Sequence, residues 1–147
     1  TNGRRRAEVH GDRVHDPDGG LTHVFPSAAT LAGVNPDSLG LPRARRRAVS
    51  RLATALADGT VLLDPGTDWD RARAQLAAID GIGPWTCELI ALRGLGDPDA
   101  FPVTDLGVRR GAAAAGLPAT PAALTARAEA WRPWRSYAVA HLWRHRP

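Results

Sequence analysis

The chain has 147 residues, the length of one domain, with a formal charge of +4 and a single cysteine, Cys87. One cysteine excludes an internal disulfide and a four-cysteine zinc or iron–sulfur site, and no run of about 18 apolar residues exists to span a membrane. All 19 basic residues are arginine, and the positive balance suits a polyanionic partner. The opening TNGRRRAEVHGDRVHDPDGG has no apolar leader segment, so the expected location is the cytoplasm.

Alanine, leucine and arginine dominate, strand-type alternation is scarce, and Pro, Gly, Asp and Thr recur at helix-end positions. The pattern predicts an all-α fold of six or seven helices with short connections. Residues 1–26 show little periodicity and are expected to be the least ordered segment, leaving 27–147 as the folded domain. Ser27 caps a short helix over about 28–33, and Asn35 with Pro36 starts another. Pro42 opens PRARRRAVSRLATALADG, which Gly59 closes, with Ala48, Val49, Leu52 and Leu56 as its apolar face. Arg43, Arg47 and Arg51 repeat every four residues on another face, readable either as a phosphate track or as solvated surface. The next helix, from about Asp68 to Ile79, turns Trp69, Ala72, Leu76 and Ile79 inward. It ends at DGIG. Pro84 then takes the first position of a helix running to about Arg93, and the two make a helical hairpin. After GLGDPDAFPVT a helix runs from about Asp105 to Ala115 and stops at Gly116 and Pro118. Thr120 and Pro121 cap the following helix, and Pro133 separates it from a last one carrying Trp134, Tyr137, Leu142 and Trp143.

In GIGPWT the two glycines permit positive φ and a close backbone approach, while the helix after them opens with outward N–H groups and a positive dipole end. Gly81, Ile82, Gly83 and Thr86 are therefore candidates for gripping a DNA phosphate without reading sequence. A glycine turn between helices has a purely steric reading as well. The segment LAAIDGIGPWTCELIALRGLGDPDAFPVTDLGVRR resembles the helix-hairpin-helix, Gly/Pro-rich loop and aspartate of one superfamily of DNA glycosylases. AEAWRPWRSYAVAHLW at 128–143 is similar to the closing helix of one branch, the bacterial DNA-3-methyladenine glycosylase II family, and PDGGLTHVFPSAATLAGVNPDSLGLPRARRRAV extends the match back to about Asp16.

The resemblance implies a helix-hairpin-helix glycosylase fold and hydrolysis of the N-glycosidic bond of alkylated purines, such as 3-methyladenine, during base excision repair. The implied partner is double-stranded DNA with alkylated bases. No cofactor is implied, although the family's hairpin can hold a monovalent cation through backbone carbonyls, here those around Ala77, Ile79 and Ile82. Asp105 aligns with the family's catalytic aspartate. On residue type alone it also reads as a helix N-cap, and the roles are compatible because a helix N-terminus favours the ionised carboxylate. A fixed carboxylate stabilises the positive charge that develops on the sugar. Glycosidases commonly need a second carboxyl group to protonate the leaving oxygen, but a base methylated on a ring nitrogen is already cationic and leaves neutral.

The base must be flipped out of the duplex into a pocket. Resemblance places Trp85 and Trp143 there, with Leu89 where relatives can carry tyrosine; indole faces favour an electron-poor base. Trp69, Trp131 and Trp134 read as structural, Asp97 and Asp99 as turn residues, and Glu88 as facing solvent or a positive helix neighbour. Superfamily members that also cleave the backbone carry a Schiff-base lysine where this chain has Trp85, so no lyase activity is expected. His141 and His145 have a zinc-compatible spacing without a third ligand, so no metal site is expected, and Cys87 reads as a small core residue.

Relatives also carry upstream helices with a glutamine-rich segment whose apolar residue wedges into the duplex. That segment is not found, and TNGRRRAEVHGDRV resembles at best the end of its last helix. The N-terminal part of the fold is therefore expected to be missing, and the isolated chain sticky or marginally stable. The missing half, or a fused alkylation-sensing regulatory module, would be a further partner. The alternative is a non-catalytic, sequence-independent DNA-binding module; Asp105 and the two tryptophans speak against it, and the missing wedge speaks for it.

Overall fold

The computed structural model describes residues 2–16 and 18–145. Among them there is no β-strand: eight α-helices and two 3-10 turns make up the regular structure, so the chain is all-α with one or two more helices than the pattern predicts. Helix α1 (Asn2–His10) arises within the segment read as least periodic. Pro17 of the upstream motif lies outside the described residues. No helix among the described residues is long and apolar enough to cross a membrane.

The chain divides into two compact units. The first comprises the residues up to 62 together with 78–81. It holds α1, α2 (Ala28–Ala32), a 3-10 turn (Pro36–Leu39) and α3 (Arg43–Ala57). Two caps follow from sequence: Ser27 Oγ accepts from the Thr30 N–H at 3.0 Å, and Asn35 Oδ1 from the Asp37 N–H at 2.9 Å. Leu31, Leu39 and Ala53 form a small core with Val34, Leu41 and Val49 around it. On α3 the buried residues are Ala48, which lies against Gly81, and Ala53, which packs with Leu31 and Leu39, whereas Leu52 and Leu56 are only half-buried. Residues 78–81 belong to this unit. Gly81 has φ 96°, and a Cβ there would lie 2.8 Å from that of Ala48; both demands explain the glycine. Arg51 of α3 pairs with Asp80, so one of the three spaced arginines braces this turn.

The second unit comprises 63–77 and the residues from 82 onward. It contains α4 (Trp69–Ala77), α5 (Pro84–Arg93), α6 (Leu106–Ala114), α7 (Pro121–Ala128) with a 3-10 turn (Glu129–Trp131), and α8 (Arg135–Arg144). Asp68 Oδ1 accepts from the Arg71 N–H at 2.7 Å and starts α4. Ala72 and Leu76 are fully buried, as the spacing predicts, but Trp69 is 41% exposed: at the first residue of the helix it lies beyond the reach of the packed stripe. Phe101, Val108, Ala112, Leu124, Ala128, Val139 and Leu142 form the core, and Trp131 sets its ring edge-on to Phe101 at 6.0 Å. Complete burial of a leucine such as Leu124 is worth about 1.5–3 kcal/mol. Trp134 is 57% exposed and pairs edge-on with Tyr137, so it packs on the surface and not in the core. Thr120 precedes α7 without a side-chain cap, leaving Pro121 as the start signal.

Candidate active site

The second unit brings Asp105, Trp85, Leu89 and Trp143 to one open cleft of about 660 Å³, lined also by Arg93, Gly107, Ala140 and Arg144. Three devices position these side chains. Pro84 at N1 starts α5 and puts Trp85 in its first turn. Gly111 lets α8 approach α6 so closely that a Cβ would fall 1.9 Å from the Leu142 carbonyl oxygen; the next residue along α8 is Trp143. The loop between α5 and α6 is pinned from both sides. Arg73 of α4 donates to Glu88 of α5 at 2.7 Å and pairs with Asp97, which is 3% exposed, while Glu88 accepts from the Phe101 N–H at 2.7 Å. Of the two readings of Glu88, the positive helix neighbour is the one observed. From the other side, Arg135 grips both oxygens of Asp99 at 2.7 and 2.8 Å and Arg132 adds a contact at 2.9 Å. Ser136 Oγ donates to the carbonyls of Asp97 and Ala100. Asp97 and Asp99 are thus more than turn residues: they are ion-pair anchors of the loop that ends at Asp105.

Asp105 is the N-cap of α6, in extended geometry, with Oδ1 accepting from the Val108 N–H at 2.9 Å. The same oxygen accepts from Trp143 Nε1 at 2.9 Å, and Oδ2 accepts from Trp85 Nε1 at 3.0 Å. Two indole N–H groups from two helices therefore hold one carboxylate. Partial burial works against ionisation, but the bonds from Trp143, the Val108 N–H, Trp85 and the Gly107 N–H outweigh it and hold the carboxyl below its ordinary 3.8. Gly107 has room only for hydrogen on that side: a Cβ would stand 3.0 Å from Asp105 Oδ1 and 3.1 Å from Trp143 Cδ1. The arginine ion pairs of this unit go to Asp70, Glu88, Asp97, Asp99 and Glu129. Asp105 keeps an anionic charge solvated by neutral donors.

At the hairpin, Gly83 is the N-cap of α5 with φ −93°, so of the two glycines that permit positive φ only Gly81 adopts it. The Gly83 carbonyl accepts from the Thr86 and Cys87 N–H groups, and its own α-carbon faces open space. Ile82 is half-buried. Cys87 is buried, and desolvation followed by the nearby Glu88 charge pushes its thiol up, which leaves it an inert core group. His141 and His145 stand with Nε2 atoms 3.0 Å apart, and among the described residues no third side chain joins them to make a metal site. Sequence reasoning missed Arg73, Arg93, Gly107 and Gly111, whose roles depend on contacts between helices far apart in the chain.

No protein-family model matches the chain. It is 54% identical, over 97% of its length, to a probable bifunctional transcriptional activator/DNA repair enzyme AlkA of Mycobacterium tuberculosis, covering 29% of that protein. It is 35% identical, over 95% of its length, to DNA-3-methyladenine glycosylase 2 of Escherichia coli, covering 48% of it. The chain thus spans less than half the length of these curated relatives. Among solved structures, MBOgg1 in complex with a low-affinity DNA ligand matches 98% of the chain and 52% of its own with a TM-score of 0.80 at 19% identity, a likeness of fold. Sequence and fold together show that the chain resembles part of the DNA-3-methyladenine glycosylase II family and has the helix-hairpin-helix glycosylase fold.

Proposed function

We propose that the chain carries the catalytic part of a monofunctional DNA glycosylase that hydrolyses the N-glycosidic bond of alkylated purines, such as 3-methyladenine, in duplex DNA. The observation that carries this reading is Asp105: an ionised carboxylate in an open cleft, held by two indole N–H groups and a helix N-terminus and, among the described residues, in no ion pair with an arginine. Such a group, outside any direct ion pair, keeps a negative charge to offer a cation entering the cleft. As the bond between C1′ and the base nitrogen breaks, its electron pair leaves with the base and cancels the alkyl-induced charge. The positive charge then resides on the sugar, beside the carboxylate. Water adds to C1′ and its proton passes by way of Asp105 to solvent. Trp85, Leu89 and Trp143 supply an aromatic and apolar wall for the flipped base. Leucine at 89 leaves this wall with two aromatic members. Ile82 and Gly83, at the start of α5, take a phosphate through backbone N–H groups, and Thr86, whose own N–H goes to the Gly83 carbonyl, adds its side-chain hydroxyl.

The aligned lysine position of lyase-competent relatives is Trp85, and the chain holds no lysine, so hydrolysis without backbone cleavage is the reading. The test is incubation of the chain with methylated duplex DNA, reading free purines and strand breaks separately. Release of methylated purine without breaks is expected. Duplex binding without any release would overturn the reading and leave a DNA-binding module.

A further inference from the structure

Arg93, the last residue of α5, sets its guanidinium carbon 4.9 Å from the centroid of the Trp143 ring. The edge of that same indole donates its N–H to Asp105 at 2.9 Å. One side chain therefore meets a cation at its face and the carboxylate at its edge. A cation over an indole draws on the negative face of the π system, which makes the ring N–H a stronger donor, and a planar guanidinium restricts the ring torsion that would swing the N–H away. Gly107 supports the same pose from the other direction, since its lack of a side chain lets the indole edge lie against the first turn of α6.

We propose that Arg93 is a positioning residue for Asp105, its guanidinium holding the Trp143 indole with the N–H aimed at the carboxylate. It acts through the ring without cancelling the charge of Asp105, because the cation sits on the indole face and not within an ion pair. The other cationic side chain lining the cleft is Arg144 of α8, and Arg109 of α6 donates instead to the Ala119 carbonyl at 2.8 Å. An arginine in the last turn of a helix also favours the dipole of that helix, but that effect is blind to Trp143. The consequence for catalysis rests on the glycosylase reading above; the geometry does not.

The experiment compares wild type, Arg93→Ala, Arg93→Met and Arg93→Lys in the DNA-free protein by NMR, with the Trp143 indole signal assigned through Trp143→Phe. It records the Trp143 indole proton, the titration of the Asp105 carboxyl carbon and, separately, methylated-purine release. In Arg93→Ala and Arg93→Met the indole proton is expected to move upfield, the carboxyl to titrate at higher pH, and release to slow roughly three-fold, the worth of an exposed cation–π contact. Arg93→Lys, which keeps a cation near the ring but not the planar guanidinium, is expected to fall between wild type and Arg93→Met on all three. An unmoved indole signal and titration in Arg93→Ala, or Arg93→Met equal to Arg93→Lys, would overturn the proposal. Absence of release in wild type alongside the expected NMR differences would count against the glycosylase reading and uphold the positioning role.

Discussion

Three aspartates within nine positions, Asp97, Asp99 and Asp105, end in two different environments. Asp97 is buried against Arg73, and Asp99 is clamped by Arg132 and Arg135, whose charges outweigh the desolvation of its carboxyl and hold it low. Asp105 is held low as well, against the same opposing burial, but by the indole N–H groups of Trp143 and Trp85 and backbone N–H groups. An arginine that stabilises a carboxylate also neutralises it, so the first two are fixed but chemically spent. Neutral donors stabilise the anion and leave its field intact for an incoming cation. The nature of the donors, more than the lowered proton affinity that Asp99 and Asp105 share, separates the scaffold aspartates from the candidate catalyst.

The largest way to test this contrast is to remove each charge. Asp105→Asn keeps an oxygen to cap α6 and is expected to lower methylated-purine release at least about a hundred-fold while leaving the fold intact; release within a few-fold of wild type would erase the distinction. Arg73→Ala acts on the scaffold side. It leaves Asp97 buried without its cation and is expected to cost about 3 kcal/mol in urea unfolding. A loss under about 0.5 kcal/mol would show that the pair is not an anchor. Trp143→Phe and Trp85→Phe each delete one N–H donor to a charged group, and each is expected to reduce release roughly ten-fold. The pH dependence is gentler. Because the folded carboxyls of Asp99 and Asp105 titrate below the ordinary 3.8, their contribution to stability is present above the unfolded value and is lost as pH falls through the folded values. Thermal melts should therefore be insensitive to these two groups between about pH 5 and 8 and fall only in acid. Gly107→Ala should have the smallest effect. Its Cβ forces Asp105 and Trp143 apart by tenths of an ångström and slows release a few-fold, while helix propensity gains up to about 1 kcal/mol in the melt.

The parts legible in sequence were those written locally. Ser27, Asn35 and Pro84 mark helix starts through chemistry within one turn, and the hairpin follows from glycine and proline placed between two apolar stripes. Asp105 read as an N-cap for the same reason, and its grouping with Trp85 and Trp143 came from resemblance. Long-range partners were not legible. Arg73 and Asp97 stand 24 residues apart, and nothing in the arginine's own surroundings marks its acceptor. Gly111 looks like a weak spot in an alanine-rich helix until the Leu142 backbone is brought against it. Trp69 shows the limit of periodicity, which places a residue on a stripe but not within the length of helix that a neighbour covers.

The most direct test of an uncompensated carboxylate uses charge alone. Duplexes carrying a cationic pyrrolidine, or its neutral tetrahydrofuran counterpart, in place of one deoxyribose are titrated with wild type and with Asp105→Asn. Wild type is expected to bind the cationic duplex roughly ten-fold or more tightly than the neutral one, and Asp105→Asn to bind both alike. Equal binding of the two duplexes by wild type would contradict the account, since Asp105 would then be a cap whose charge meets nothing.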